Sequence, residues 1–567
     1  MRFDDILIRI GEFGYFQRRL YLLLCMPAIV TACYMMILVF VMEPPEHRCK
    51  LPEWENDTYE IQSEEHRKWI NYTIPPSNDE QHVYDQCHYY AWNKSESSPI
   101  NRTVEACSEW VYDKSVFLET FTSRHNLVCG ESIKTSVAEM VFYFGVLVGD
   151  ISFGLLSDVI GRKKTFSITV IILLASSTAT VFAPEFYSFC ALEFINGAAV
   201  HGAFMVCCVL GLEMVGPSKR VWAGIPIHIF FAVGLVYLAG IEYFTRNWQY
   251  VQIAITAPVT LFLLYWWLIT ESPRWLVSQS RYDEANTIIL KAAKANNVDM
   301  KGDKLVDLST LETPKQGNIW ELFKSKVLFF RTMILFYNWI VISMVYYGVT
   351  MHTGNLGGNF YLNFFILAVV EFPAKAMTMV LLNRIGRKKM HCTCMMIGGI
   401  ACLCTIFTVV YGGDSLQPVT LTLAIIGKFG SAAAFGVIYI YSLELYPTVV
   451  RNGGMGMSSC VARVGGMVAP YVAKSGDLVG GRFGQALPLV IFGGCSVLAG
   501  ILTLFLPETH GRKLPETIQD GEEFGRKPKG ASTANLVIST DTINSISTGL
   551  NGKQLMKDED FKPNKSD

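Results

Sequence analysis

A chain of 567 residues with 51% hydrophobic and 17% charged side chains and a mean hydropathy of +0.30 is too apolar for an ordinary soluble domain, in which about a quarter of residues are charged. Its formal net charge of −1 offers no footprint for nucleic acid or another polyanion. No glycine-rich phosphate loop ending in Gly-Lys-Ser/Thr occurs, which argues against ATP hydrolysis as an energy source.

Residues 1–19 form a short polar start that ends in Arg18-Arg19. Crossing ~30 Å of hydrocarbon takes about 20 apolar residues, and twelve runs of that kind follow, near 20–42, 135–156, 165–183, 187–210, 221–243, 249–269, 331–350, 360–382, 390–411, 417–441, 454–473 and 485–506. The first run is of spanning length without a small-residue cleavage site, so no cleavable signal peptide is expected.

The 43–134 segment after the first run holds four sequons, at Asn56, Asn71, Asn93 and Asn101, together with Cys49, Cys87, Cys107 and Cys129. Clustered sequons predict a glycosylated loop outside the cell. Four cysteines in an oxidising compartment predict two disulfides, with three connectivities open. The remaining cysteines fall in or near apolar runs, where small polarizable side chains pack well. Cys392-x-Cys394 and Cys402-x-Cys404 lie in such runs, and no metal or other cofactor is expected there.

After the second run stands Leu155-Leu-Ser-Asp158-Val-Ile-Gly161-Arg162-Lys-Lys164, and a near copy, Leu381-Leu-Asn383-Arg-Ile-Gly386-Arg387-Lys-Lys389, follows the eighth. Glu213-Met-Val-Gly-Pro-Ser-Lys-Arg220 returns more loosely as Glu444-Leu-Tyr-Pro-Thr-Val-Val-Arg451. Such repetition predicts a duplicated membrane unit, as in many secondary transporters. The basic turns, with the 271–330 connector, all fall on one side of the alternation. The positive-inside rule makes that side, and both termini, cytoplasmic.

Domain limits follow: a cytoplasmic start at 1–19, a bundle at 20–270, the connector at 271–330, a second bundle at 331–506 and a tail at 507–567. In the connector, Ala285, Ile288, Ile289, Ala292 and Ala293 share one helical face and predict a helix packed under the bundle. Past about residue 520 the tail is polar and reads as disordered. Its sequon at Asn564 faces the cytosol and is expected to stay unglycosylated.

Charges inside the runs, each costing roughly 2.5 to 3.5 kcal/mol at a helix centre, are functional or paired by default. They are Glu139, Asp150, Glu193, Glu242, Glu371, Lys375, Lys428 and Arg463. Glu371 and Lys375 stand four apart and have the spacing to neutralise each other.

The Gly154-to-Lys164 phrase resembles the loop motif of the major facilitator superfamily, and Glu271-Ser-Pro-Arg-Trp-Leu276 and Pro507-Glu-Thr-His-Gly511 are similar to other motifs of that superfamily. The large first loop, Gly11-Glu-Phe-Gly14, Glu371-Phe-Pro-Ala374 and Glu444-Leu-Tyr-Pro-Thr448 narrow the resemblance to the organic cation, anion and zwitterion branch, solute carrier family 22. Phrases such as Pro447-Thr-Val-Val-Arg-Asn452 resemble insect organic cation transporter proteins most. The resemblance covers residues 1 to about 525 and implies an all-α membrane fold of twelve helices in two six-helix pseudo-repeat bundles.

It also implies sites. Arg463, Lys375, Tyr243, Lys428 and Phe435 match anion-branch binding positions, while Trp339, Tyr346 and Glu371 match the cation branch. Glu193 stands where an arginine is usual. Asp158, Arg162, Glu213, Arg220, Glu271, Arg274, Glu444, Arg451, Glu508 and Arg512 form a candidate cytoplasmic gate, and Asn383 makes its second copy asymmetric. The expectation is a plasma-membrane transporter of small organic ions, cations or zwitterions first, working by facilitated diffusion without cofactor or catalysis. Its partners are the substrate and the bilayer. An organic anion exchanger and a non-transporting sensor on the same fold are the alternatives.

Overall fold

The computed structural model describes residues 3–52, 54–77, 83–91, 103–219, 223–224, 226–298 and 318–525. In its described residues, every predicted run is helical. They are α1 Tyr15–Val41, α2 Ile133–Ile160, α3 Arg162–Thr180, α4 Phe186–Glu213, α5 Pro226–Thr245, α6 Trp248–Leu268, α7 Lys326–Met351, α8 Phe360–Ile385, α9 Arg387–Gly412, α10 Gln417–Leu445, α11 Arg451–Ala473 and α12 Gly481–Thr503. Ten are long and apolar enough to cross a membrane. The other two, α3 and α11, are diluted by Ser/Thr or Gly/Ser and by Arg162–Lys164 or Arg451 and Arg463.

The first six helices pack as one half, with α2 and α3 against α4 and α5 against α1, and the last six as another, with α7 on α11 and α9 between α10 and α12. The same joint recurs in each. A Cβ on Gly234 of α5 would meet the Ile29 carbonyl of α1 at 2.2 Å, and one on Gly465 of α11 the Ile340 carbonyl of α7 at 2.1 Å. Only glycine lets backbones approach so closely. The halves touch along α2 and α11 and along α5 and α8.

Between α1 and α2 sits a small lobe. Two antiparallel ribbons, His47–Cys49 with Trp110–Tyr112 and His88–Tyr90 with Val104–Ala106, are stapled by Cys49–Cys107 and Cys87–Cys129, which selects one of the three connectivities. Its core holds Leu51, Ile70 and Ile74 beside a buried Arg48–Asp57 ion pair. Burial works to raise the Asp57 carboxyl, but hydrogen bonds from Arg48, the Leu51 N–H and His66 outweigh it and hold the group below the usual carboxylate range. Asn56 and Asn71 are exposed on this lobe, whereas Asn93 and Asn101 lie outside the described residues.

On the opposite side the connector helix Tyr282–Ala295 buries Ala285, Ile289, Ala292 and Ala293 against Trp275, Leu276 and the N-terminal helix Phe3–Arg9, as its amphipathic face predicts. Asn296 stitches the three segments together. Its Oδ1 accepts the Phe16 N–H at 2.9 Å, and its Nδ2 donates to the Ile10 carbonyl at 2.7 Å and to Gln17 at 2.8 Å. Residues Met1–Glu522 form one compact unit; Glu523–Asp567 form a second, of which only 523–525 are described, so the tail beyond lies outside the described residues.

Candidate functional site

Two groups of buried charge lie well inside the helices. Arg463 of α11 reaches across to the first half: its Nε donates to Asp150 Oδ2 of α2 at 3.1 Å, and its Nη2 stands 3.0 Å from His201 Nε2 of α4. His201 Nδ1 closes the triangle on Asp150 Oδ1 at 2.5 Å. A guanidinium has only donors, so His201 Nε2 accepts and the ring is neutral with its proton on Nδ1, donating to Asp150. Arg463 is 4% exposed, and a buried charge of that kind stands only when paired.

The second group lies within the second half. Lys428 of α10 is 3.2 Å from Glu371 Oε1 of α8 and donates to the Tyr346 carbonyl at 3.1 Å and Thr350 Oγ1 at 2.9 Å. Its ammonium sits 3.4 Å from the Tyr346 ring centroid, close enough for cation–π attraction. The Tyr346 hydroxyl donates to the same Glu371 oxygen.

The pairing of Glu371 with Lys375, allowed by their spacing, is therefore not the one formed. Lys375 Nζ instead donates to the Ala432 carbonyl at 2.9 Å and lies 5.8 Å from the Phe435 centroid, with no carboxylate at ion-pair distance among the described residues. Pro373 stands between the two, and without an N–H it loosens the helix where the regular turn breaks at Val370.

Aromatic rings line this group. Trp339 meets Tyr439 edge-on at 4.6 Å and Phe435 at 6.1 Å, and donates from Nε1 to Ser442. Tyr346 packs on Phe435 at 5.3 Å. Tyr347 joins the two groups, edge-on to Tyr346 at 5.1 Å and tilted on Tyr143 of α2 at 5.0 Å. Trp339, Tyr346, Glu371, Lys375, Lys428 and Phe435 are thus brought together, with Arg463 adjacent. Tyr243 is not: it lies near the lobe-side end of α5, 48% exposed, against Tyr361 at 5.8 Å. Sequence reading missed His201, a lone histidine in an apolar run whose partners lie on two other helices, and it missed Tyr347.

The other acids inside the helices form no ion pair within 4 Å among the described residues. Glu193 accepts from Asn196 at 3.0 Å within a cluster of Ser176, Thr180 and Asn196, and Glu139, Glu193 and Glu242 each keep one oxygen without a hydrogen-bond partner.

At the connector side each half carries its own charge cluster at the candidate gate positions. Arg162, first residue of α3, pairs with Asp158 at 2.9 Å and Glu213 at 3.1 Å, while Glu271 accepts the Arg162 and Lys163 N–H groups and so caps α3 with negative charge. Trp275 Nε1 donates to the Asp158 carbonyl at 2.8 Å. In the second half Arg387, which sequence reading left out of the gate, pairs with Glu444 at 3.0 Å, Glu508 accepts its N–H at 2.9 Å, and His510 Nδ1 lies 2.7 Å from its Nη1. Burial works to raise the Glu508 carboxyl; the N–H groups of His510, Arg387, Lys388 and Thr509 overcome it and hold the group low. Gly161 and Gly386 end α2 and α8 at φ of 104° and 95°, a conformation suited to glycine. Arg451 donates to the Tyr446 carbonyl rather than to a carboxylate, Arg274 and Arg512 are exposed, and Arg220 lies outside the described residues.

Residues 77–520 match the family model described as "Sugar (and other) transporter". The chain is 40% identical to "Organic cation transporter protein" of Drosophila melanogaster, over 98% of this chain and 100% of that one. It is 34% identical to "Organic cation/carnitine transporter 2" of Homo sapiens (91% and 93%) and 35% identical to "Solute carrier family 22 member 21" of Mus musculus (91% and 93%). Among solved structures, the major facilitator proton:xylose symporter XylE superposes at a TM-score of 0.56 with 16% identity, over 89% of this chain and 98% of that one, a likeness of fold alone.

Proposed function

The chain belongs to the sugar (and other) transporter family and, within it, to solute carrier family 22 with the organic cation transporters, and from that premise we propose a polyspecific carrier of small organic ions, cations or zwitterions first, working in the plasma membrane by alternating access. It is a transporter and not an enzyme. In this reading the lobe is extracellular and glycosylated, both termini are cytoplasmic, and facilitated diffusion runs on the substrate gradient and the membrane potential, the latter worth about 2.3 kcal/mol per charge per 100 mV.

One observation carries the proposal: the buried ion pair at mid-helix depth, Arg463 with Asp150 and His201, ties one half to the other. Halves that rock must part there, and each partner then needs a new counter-charge. A zwitterion supplies both, its ammonium to Asp150 and its carboxylate to Arg463. A simple cation uses Asp150 and the aromatic wall of Trp339, Tyr346 and Phe435.

Lys375 favours a second reading, an anion exchanger, because its ammonium faces a carbonyl and a ring instead of a carboxylate. Uptake of labelled cations, zwitterions and anions by surface-expressed protein separates the two. Saturable cation or zwitterion uptake, with Arg463→Ala retaining or raising that of plain cations, supports the first. Uptake restricted to anions and lost in Lys375→Ala supports the second. No uptake of any class at normal surface levels refutes both and leaves a sensor.

A further inference from the structure

Where the halves close on the lobe side, three acids crowd one lysine. Lys474, just past α11, donates to Thr135 Oγ1 of α2 across the seam between halves. Glu139, one turn along α2, is 3% exposed and its Oε2 has no hydrogen-bond partner. Glu43, just beyond α1, presses its Oε1 against Gly354 at the end of the α7 segment, where an added Cβ would stand 2.1 Å away. Asp477 begins the next turn, its N–H bonded to the Lys474 carbonyl at 3.2 Å. All three acids lie within electrostatic reach of Lys474.

Among the described residues, Lys474 is the cation whose charge acts on all three. Lys134 is held by Glu131, and His352 rests on the Ala473 carbonyl. Tyr143 and Tyr471, the remaining titratable groups of α2 and α11 on this side, donate to the Met35 carbonyl and the Met140 sulfur. Glu139 is buried, Glu43 and Lys474 are half-buried and Asp477 is exposed; ionised carboxylates gathered about one ammonium repel one another, and the buried one also loses hydration. Closing the seam therefore requires that some of them be neutral.

We propose that Glu43, Glu139 and Asp477, gathered about Lys474, form a proton-binding site in the closed extracellular gate, so that external protons hold the gate shut. The inference rests on the alternating-access reading. Burial raises the Glu43 carboxyl to about 8, the Lys474 charge opposing and the Glu139 and Asp477 charges adding; burial also raises Asp477, against Lys474. Once the gate opens to water, these groups return toward the ordinary carboxylate value of about 4. The sign follows: their contribution to closure is complete below that ordinary value and is lost as pH rises toward 8. In that window each proton taken up on closing shifts the open-to-closed ratio about tenfold per pH unit.

The test is the rate at which a membrane-impermeant methanethiosulfonate modifies Tyr347→Cys from outside intact cells, corrected for native cysteines. Tyr347 lies seven positions inward of Gly354 and is buried. Each rate is divided by that of Val83→Cys, 76% exposed on the lobe, to remove the thiol's own pH dependence. Acidification from pH 8 to 6 should slow modification tenfold or more. Adding Glu43→Gln and Glu139→Gln, which mimic the protonated forms, should hold the rate slow at both values, and Lys474→Met should move the midpoint to higher pH. If the double variant does not reach the surface, Asp477→Asn should reduce the pH slope. A ratio constant within twofold, or a slope unchanged in the variants, overturns the proposal. Uptake by the protein without the Tyr347→Cys reporter separates the two readings: a pH-dependent gate without flux sinks the carrier, whereas flux with a flat labelling rate sinks the gate.

Discussion

Two of the ion pairs buried among the long helices have different addresses. Lys428 and Glu371 belong to neighbouring helices of one half and share Tyr346, whose ring lies under the ammonium and whose hydroxyl donates to the carboxylate. Arg463 and Asp150 belong to different halves. Equal burial therefore does not mean equal work. A pair inside one rigid half stays closed through a rocking cycle and serves as scaffold, whereas a pair across the seam must open whenever the halves part.

The largest expected effect breaks the scaffold pair. Lys428→Met leaves Glu371 as an uncompensated buried charge, costing about 3–5 kcal/mol, so surface protein should collapse, as biotinylation would show. Adding Glu371→Gln should restore most of it, because removing both charges relieves what removing one creates. A double variant as poor as the single would mean that Lys428 does more than neutralise Glu371.

Arg463→Asp should do the reverse: near-normal surface levels, since the residue sits at a seam that opens, with uptake of carboxylate-bearing substrates falling about tenfold to a hundredfold, the loss of one hydrogen-bonded charge. Simple cations should be spared or favoured, because the field there changes sign. Retention of the variant inside the cell would erase the distinction between the two pairs.

The smallest effect concerns the connector-side charge clusters. Asp158, exposed over 68% of its side chain, gives Arg162 a second carboxylate, and the other half has Asn383 in its place. Asn383→Asp should let Arg387 gain a comparable partner. An exposed pair is worth under about 1 kcal/mol, so turnover should change by about fivefold at most, measured as the maximal uptake rate per surface molecule.

The long helices were legible because an apolar run near 20 residues has few other places to go. Even α3 and α11, weak in apolarity, were placed by their neighbours and the repeated turns. The disulfide pairing was not legible: Cys49 and Cys107 meet because their flanking strands pair or abut, which spacing does not encode. Local spacing misled at Glu371, where a proline upset the turn and a lysine 57 positions further on took the place of the one four away. His201 was hidden for a related reason, since its meaning comes from Arg463, 262 residues distant.

The Asn296 clasp has a consequence for the order in which the protein is made. Ile10 and Asn296 are 286 residues apart, and at about 5–20 residues per second the ribosome takes roughly 15 to 60 s to deliver the second after the first. Throughout that time six helices are being inserted, while the apolar stripe of Ile6, Leu7 and Ile10 has no Ala285, Ile289 or Ala292 to rest on. Nascent chains arrested before the connector should accordingly leave their first ten residues open to protease, and chains arrested well beyond Asn296 should protect them.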